Sequence, residues 1–322
     1  MKGLGRDIVA AIFAGVILPA IAIQAGIIIR RDRQSEHLPP MVTDVSVREE
    51  SSFFVSFMDE EGNKTEMGLD EYLVGAVLGE MPASFETEAL KAQTVAARTY
   101  AWKVRHDGVK HGDGSICGNY ACCQAYISGE EYIESGGSIE SVEKVRSAVL
   151  ATSDLVLMYD GNLIDATYFS CSGGRTEDAL AVWGSDIPYL RSVDSPGEEH
   201  AKWYTDEMSF SRAQLESALD ISLPENTEDW FGEISYTNGG GVETIRIGEE
   251  LFSGTRLRTL LRLRSTSFDV TAENDAAVFT TRGYGHRVGM SQYGADAMAA
   301  AGADFGKILG HYYPGTELVM LS

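Results

Sequence analysis

The chain has 322 residues, 26 of them basic and 48 acidic, for a formal net charge of −22. Residues 1–35 hold five of the bases and two of the acids, so the remainder carries 21 against 46, a net −25. Such a surface is repelled by nucleic acid and by anionic lipid, which excludes a nucleic-acid-binding protein.

Ile8 to Ile29 is apolar for 22 residues, interrupted only by Gln24, and about 20 such residues span a bilayer. Ala20-Ile21-Ala22 has the look of a cleavage site, but the apolar run continues to Ile29, so an uncleaved anchor is expected. Basic residues flank both ends of the run (Lys2 and Arg6, then Arg30, Arg31 and Arg33), so charge alone does not orient it. With nothing folded before it, the expected organisation is a cytosolic tail at 1–7, a transmembrane anchor at 8–29 and a linker at 30–41. A folded portion at 42–322 then lies outside the cytosol.

Val42 to Met67 alternates in places and contains the turn Glu61-Gly62-Asn63, which predicts a hairpin. Leu69 to Lys103 predicts two helices. Asp70 is the expected N-cap of the first, and Leu69, Leu73, Val77 and Leu78 recur at helical spacing. Pro82 disfavours a helical Met81, so this helix should stop near Gly79. Glu80 then meets the negative end of the helix dipole, which favours its protonated form. On residues alone, a solvated helix end is the plainer reading of Glu80. The second helix should start near Ser84, with Glu86 and Glu88 in its first turn. Ala89, Ala92, Ala96, Ala97 and Ala101 give it a small-residue surface, into which the sequence sets Gln93 and Arg98.

A polar loop, HDGVKHGDGSICGNYACCQAY, comes next, then a helix expected over Ser138–Ala148. Strands are expected at Asp154–Tyr159 and Asn162–Tyr168, joined through the hairpin pair Asp160-Gly161. A Gly-containing turn spans Phe169–Thr176, a helix is expected over 208–220 with Ser209 near its start, and Asn238-Gly239-Gly240 marks a hairpin within Glu233–Ile247. Arg256, Arg258, Arg262 and Arg264 form a basic run to which the sequence assigns no role. A helix is expected over Ala295–Ala301 before the terminal HYYPGTEL. Hairpins alternating with separated helices predict an α+β fold with a mainly antiparallel sheet.

His111, Cys117, Cys122 and Cys123 have the spacing and loop setting of a zinc site, since zinc takes thiolates and imidazoles in a tetrahedron. Outside the cytosol the same cysteines, with Cys171, suit a disulfide equally well, and the residues leave both open. Gly283 to Gly294 places five glycines in twelve residues among Tyr284, His286 and Gln292. Glycine lets backbone approach a ligand, and the interleaved side chains supply the stacking faces and hydrogen bonds that sugars need. A turn-rich segment packed on the core explains the glycines as well. No GxSxG, HExxH or P-loop pattern is present.

Taken together, LDEYLVGAVLGEMPASFETEALKAQTVAARTYA, the CQAY after Cys122, SGGRTEDALAVWGSDIPYLRSVDSP, RGYGHRVGMSQYGADAMA and HYYPGTEL resemble the stage II sporulation protein D family of endospore formers. The matching motifs run in the family's order from about residue 66 to 319. The resemblance implies a membrane-anchored peptidoglycan lytic transglycosylase acting in forespore engulfment, in the mother-cell membrane facing the septum. It implies two lobes with a glycan groove between them. The glutamate of the EMP motif falls on Glu80, the implied acid/base. The Ser-Gly-Gly and GxGHxxGMSQ motifs are implied to line the groove, so the candidate substrate-binding residues are Gln93, Arg98, Tyr168, Ser170, Ser172, Gly173, Tyr284, His286, Ser291 and Gln292. His111, Cys117 and Cys123 are the implied metal ligands, with a fourth position open and a zinc that is structural or regulatory. Cys122, Cys171 and Arg287 depart from the family pattern, Arg287 standing where Gly is frequent. Implied partners are peptidoglycan glycan strands and the stage II sporulation proteins P, an amidase or endopeptidase, and M, a membrane protein.

The expected reaction needs one acid. Protonated Glu80 donates to the glycosidic oxygen between N-acetylmuramic acid and N-acetylglucosamine, then takes the proton of the muramic C6 hydroxyl as that oxygen closes a 1,6-anhydro ring. Two rivals stand beside it: a non-catalytic glycan-binding enhancer of a partner amidase, and a zinc amidase or peptidase built on the His/Cys loop, ranked last.

Overall fold

A computed structural model describes residues 53–321, apart from residues 60 and 109. It opens with the hairpin of β1 (Phe54–Met58) and β2 (Lys64–Gly68). The first helix, α1 (Leu69–Glu80), follows directly, and from Leu69 to Leu78 only Glu71 faces solvent. Asp70 does not cap it. The helix starts one residue earlier, and Asp70 lies buried in its first turn, 3.3 Å from the Arg98 guanidinium. Met81 is extended (φ −130°, ψ 137°), as a residue before proline must be, so Glu80 closes the helix. The next helix, α2 (Thr87–Asp107), ends at Gly108 with φ 65°.

The loop returns through β3 (Ile116–Cys117), parallel to β1. Ser128 and Ser138 cap α3 (Gly129–Glu134) and α4 (Ile139–Ala151). Asp160 and Gly161, both at positive φ, turn β4 (Leu155–Tyr159) into β5 (Asn162–Leu163). The strand expected to reach Tyr168 stops at Leu163, and β6 (Tyr168–Phe169) is a separate element. After α5 (Ala179–Trp183) comes β7 (Thr205–Ser211). The helix expected from 208 begins only after Ser211, whose side chain caps α6 (Arg212–Leu219). Next are β8 (Phe231–Tyr236), β9 (Val242–Ile247), β10 (Glu250–Ser253), α7 (Gly254–Leu261), β11 (Phe268–Glu273) and β12 (Ala276–Arg282). The chain closes with β13 (Met290–Ser291) parallel to β6, α8 (Gln292–Ala300), α9 (Phe305–Tyr312) and β14 (Glu317–Met320) antiparallel to β4.

Two apolar cores result. The larger is centred on α1 and α2 and takes in Val288, Met290 and the face of α9. The smaller lies wholly within residues 205–282 and is built around Trp230, Phe252, Phe268 and Phe279. Its chain leaves and returns side by side, Thr205 standing opposite Arg282 in the β7–β12 ladder.

One expectation is corrected. Among the described residues, no helix is long and apolar enough to cross a membrane. The longest, α2, carries Glu88, Lys91, Arg98, Lys103, Arg105 and Asp107, and the apolar run 8–29 lies outside the described residues. The class is α+β as expected and most strand pairings are antiparallel, while β1–β3 and β6–β13 pair in parallel.

Candidate active site

Glu80 closes α1 half buried. A Cβ on Gly79 would stand 2.9 Å from the Ala125 carbonyl carbon, and one on Gly75 2.3 Å from the Tyr126 ring. The two glycines therefore let the segment 123–126 lie directly on α1. That approach delivers the Ala125 amide, which donates to Glu80 Oε1 at 2.6 Å. Burial pushes the Glu80 carboxyl up to about 7, opposed by the Ala125 amide and by nearby Gln292. The buried Gln292 Nε2 faces the Glu80 carboxyl closely enough to favour its charged form, and has no other hydrogen-bond partner among the described residues. Beside Glu80, the Tyr72 hydroxyl donates to Gln124 Oε1 at 2.8 Å, which orients Gln124 so that its Nε2 donates to the Tyr168 hydroxyl at 2.6 Å. Tyr168 thus accepts from Gln124 and keeps its own hydrogen to donate, and it feels the charge of Glu80.

From Tyr168 the site continues along the two glycine-containing segments. Cys171 and Tyr284 exchange backbone hydrogen bonds at 3.2 and 2.7 Å. A Cβ on Gly283 (φ 80°) would fall 2.6 Å from the Ser172 backbone, and one on Gly173 (φ 76°) 2.8 Å from the Arg282–Gly283 peptide. These glycines serve backbone-to-backbone packing. Glu198, fully buried, accepts from the Ser172 amide (2.8 Å), the Ser172 hydroxyl (2.8 Å) and the Gly173 amide (2.9 Å) through Oε2, and from Ser195 Oγ (2.6 Å) through Oε1. Arg287, also buried, donates to Ser172 O at 2.8 Å, to Arg175 O at 2.7 Å and to Gly239 O at 2.8 Å, and lies 3.2 Å from Glu177. It is a brace between the Ser-Gly-Gly segment and the 237–241 hairpin loop. His286 sits between Phe169 (5.5 Å) and the exposed Trp183 (5.3 Å). Its Nδ1 accepts from Val288 N at 3.1 Å, so the hydrogen is on Nε2. Burial, helped by the charge of Arg258, lowers it to about 4 and keeps it neutral.

Where segment 123–126 begins, His111, Cys117, Cys122 and Cys123 bring one donor atom each to within 4.8 Å of one another. Cys122 Sγ and Cys123 Sγ are 3.6 and 3.5 Å from His111 Nε2, and 3.9 Å apart. Zinc–sulfur and zinc–nitrogen bonds of about 2.3 and 2.0 Å in a tetrahedron imply edges of about 3.8 Å (S to S) and about 3.5 Å (S to N). The donor set fits zinc in chemistry and in spacing. All four cysteines of the chain are free. Cys122 completes the set in place of the open position expected from three ligands.

Not all expected contacts reach the site. Gln93 and Arg98 are fully buried. Arg98 ties α2 to Asp70 and to the carbonyls of Val149 (3.2 Å) and Thr152 (2.7 Å), so it holds the core together and does not meet a ligand. Ser172 is engaged by Glu198, and the buried Ser291 caps α8 by accepting from Gly294 N at 3.2 Å. Tyr168, Ser170, Gly173, Tyr284 and His286 remain partly accessible, as Glu80 does. Glu177, Glu198, Gln124 and Trp183 went unread in the sequence. Glutamates in loops carry no local pattern, and only the CQAY and VWG motif matches pointed towards Gln124 and Trp183.

A family model described as "Stage II sporulation protein" matches residues 59–159, the stretch holding Glu80 and the His/Cys cluster. Stage II sporulation protein D of Bacillus subtilis (strain 168) is 38% identical over 255 residues, covering 78% of this chain and 74% of the relative. The protein of that name from Bacillus amyloliquefaciens is 37% identical with the same coverage. A protein called amidase enhancer, from Bacillus subtilis (strain 168), is 30% identical over 76% of this chain and 40% of its own length. The chain belongs to the stage II sporulation protein D family.

Proposed function

We propose that this protein is a peptidoglycan lytic transglycosylase with Glu80 as its single acid–base group. The observation that carries the reading is a carboxyl raised to about 7 by burial at the end of α1, beside Tyr168 and Gln292. A group poised there holds its proton for the first step and releases it easily in the second. Glu80 donates to the oxygen linking N-acetylmuramic acid to N-acetylglucosamine, and the bond to C1 breaks. The resulting carboxylate, held by the Ala125 amide, accepts the C6 hydroxyl proton as that oxygen attacks C1. The proton is returned to Glu80 and no water is consumed. Tyr168 and Gln292 are placed to hydrogen-bond the sugar at this centre. Mass spectrometry of products from purified peptidoglycan tests the reaction: 1,6-anhydro ends are expected, and reducing ends or released peptides alone refute it.

His111, Cys117, Cys122 and Cys123 would hold a zinc ion whose part is structural. With four protein donors it has no open position, and it would fix the turn leading into Ala125. The relative called amidase enhancer supports a second reading, a glycan-binding stimulator of a cell-wall amidase. That reading survives if Glu80→Gln leaves stimulation of an amidase intact and no anhydro product appears.

A further inference from the structure

In a chain of net charge −22, arginines are expected to find carboxylates. Arg264 does, with Asp206 at 3.2 Å, and Arg256 lies over the Phe252 ring at 4.8 Å. Arg258 lies half buried near the end of α7, and its guanidinium has no ion-pair or hydrogen-bond partner among the described residues. The Arg258 carbonyl accepts from Leu263 N at 3.0 Å, and the carbonyl of the following Arg264 accepts from Gly285 N at 3.1 Å, which joins the end of α7 to the 284–286 segment. The side chains there that feel the Arg258 charge are Tyr284 and His286. An unpaired, partly desolvated guanidinium is held ready for an acidic ligand.

Its neighbours form a mixed aromatic and cationic surface. The Arg264 guanidinium is stacked 4.0 Å from the Trp203 ring centre and 5.0 Å from that of Tyr284. Lys202, exposed and without a carboxylate partner among the described residues, stands 4.7 Å from the Trp203 ring centre. Tyr284 pairs through its backbone with Cys171, two residues from Phe169 and three from Tyr168, so this surface continues the segment that starts at Tyr168 beside Glu80. Ring faces suit a sugar, and free cations suit an acid carried on it.

We infer that Arg258 recognises a carboxylate attached to the glycan, while Tyr284 and Trp203 present ring faces to the sugar. The inference rests on the glycan reading of the Glu80 site. Two parts of peptidoglycan carry this chemistry: the lactyl group of muramic acid once its peptide is removed, and the stem peptide itself.

Binding by the whole chain decides it, measured in a Glu80→Gln background so that nothing is cleaved. Three probes are needed: a neutral N-acetylglucosamine oligomer, peptide-stripped glycan strands, and strands bearing stem peptides. Arg258→Gln should weaken an acidic probe about tenfold, the worth of one charge-assisted hydrogen bond, and leave the neutral oligomer within about twofold. Arg258→Lys should recover part of the loss, and added salt should narrow the difference between probes. A loss confined to stripped strands assigns the lactyl carboxylate, and one confined to peptide-bearing strands assigns the peptide. Equal loss for the neutral oligomer, or no loss for any probe, overturns the inference while leaving the glycan reading in place. If the parent binds none of the three, the glycan reading itself falls and the inference with it.

Discussion

The amide that holds Glu80 belongs to Ala125, two residues beyond Cys123 of the His/Cys cluster. The position of the acid is therefore fixed from two sides, by the end of α1 and by the loop the cluster gathers. Changes at the cluster are expected to reach Glu80 through this one hydrogen bond.

Glu80→Gln should retain glycan binding and lose cleavage by at least about 100-fold, as for a missing general acid. Cleavage by the wild type should fall as pH rises through about 7, where the carboxyl loses its proton. A profile still rising above pH 8, or wild-type product from the variant, contradicts the assignment.

The same carboxyl makes stability depend on pH. Its folded value lies above the ordinary 4.5, so its contribution is fully present below that value and is lost as pH rises through about 7. Glu80→Gln, which has no proton to lose, should melt near the wild type at pH 4 and above it at pH 8. Parallel melting curves across that range would mean the group is not desolvated.

Protein purified without chelator should contain about one zinc per chain, with three thiols protected from reagent. Stripping the metal, or Cys122→Ser, should speed hydrogen exchange at the Ala125 amide and depress cleavage, and zinc should restore the stripped wild type. Cys171→Ser should keep its metal, because that thiol lies elsewhere, 3.4 Å from Glu198. Full reactivity of Cys117, Cys122 and Cys123 in active protein would exclude the ion.

Removing Arg287 strands Glu177 in the core. Arg287→Ala should cost about 3–5 kcal/mol in denaturant melts, the penalty for a buried charge left alone. Adding Glu177→Gln should recover part of that. If the double variant is worse than the sum of the single ones, the pair is not the brace its contacts suggest.

Gly283→Ala should destabilise by more than about 1 kcal/mol, because both its positive φ and the 2.6 Å approach to Ser172 oppose a side chain. Gly62→Ala meets no atom within 4 Å and carries only the φ penalty, which makes it the matched control.

Local signals in the sequence suffice where the chemistry is local. Pro82 placed the end of α1 within a residue, Asp160-Gly161 placed a hairpin, and the loop spacing gathered the cluster. Signals failed where the answer depends on distant partners. Asp70 looks like a cap, yet Arg98, 28 residues on, draws it into the core. Ser209 looks like a helix start, yet β12 claims residues 205–211 as a strand. Gln93 and Arg98 look like ligand contacts in an apolar helix, and their burial could not be read without the elements that pack over them. Glu80 was legible as a helix end, but its raised proton affinity comes from burial beneath chain far along the sequence.

The pairing of Thr205 with Arg282 makes the smaller core a detachable module. Its two ends are separated by one strand spacing, so an ancestor joining residue 205 to 282 by a tight turn would keep the Ser-Gly-Gly and Tyr284 segments in reach of each other. What resists such a deletion is the second fastening, where Thr237, Gly239 and Gly241 of the module satisfy Glu177 and Arg287. A chain in which the module is trimmed or exchanged is therefore expected to need changes at Glu177 and Arg287 together.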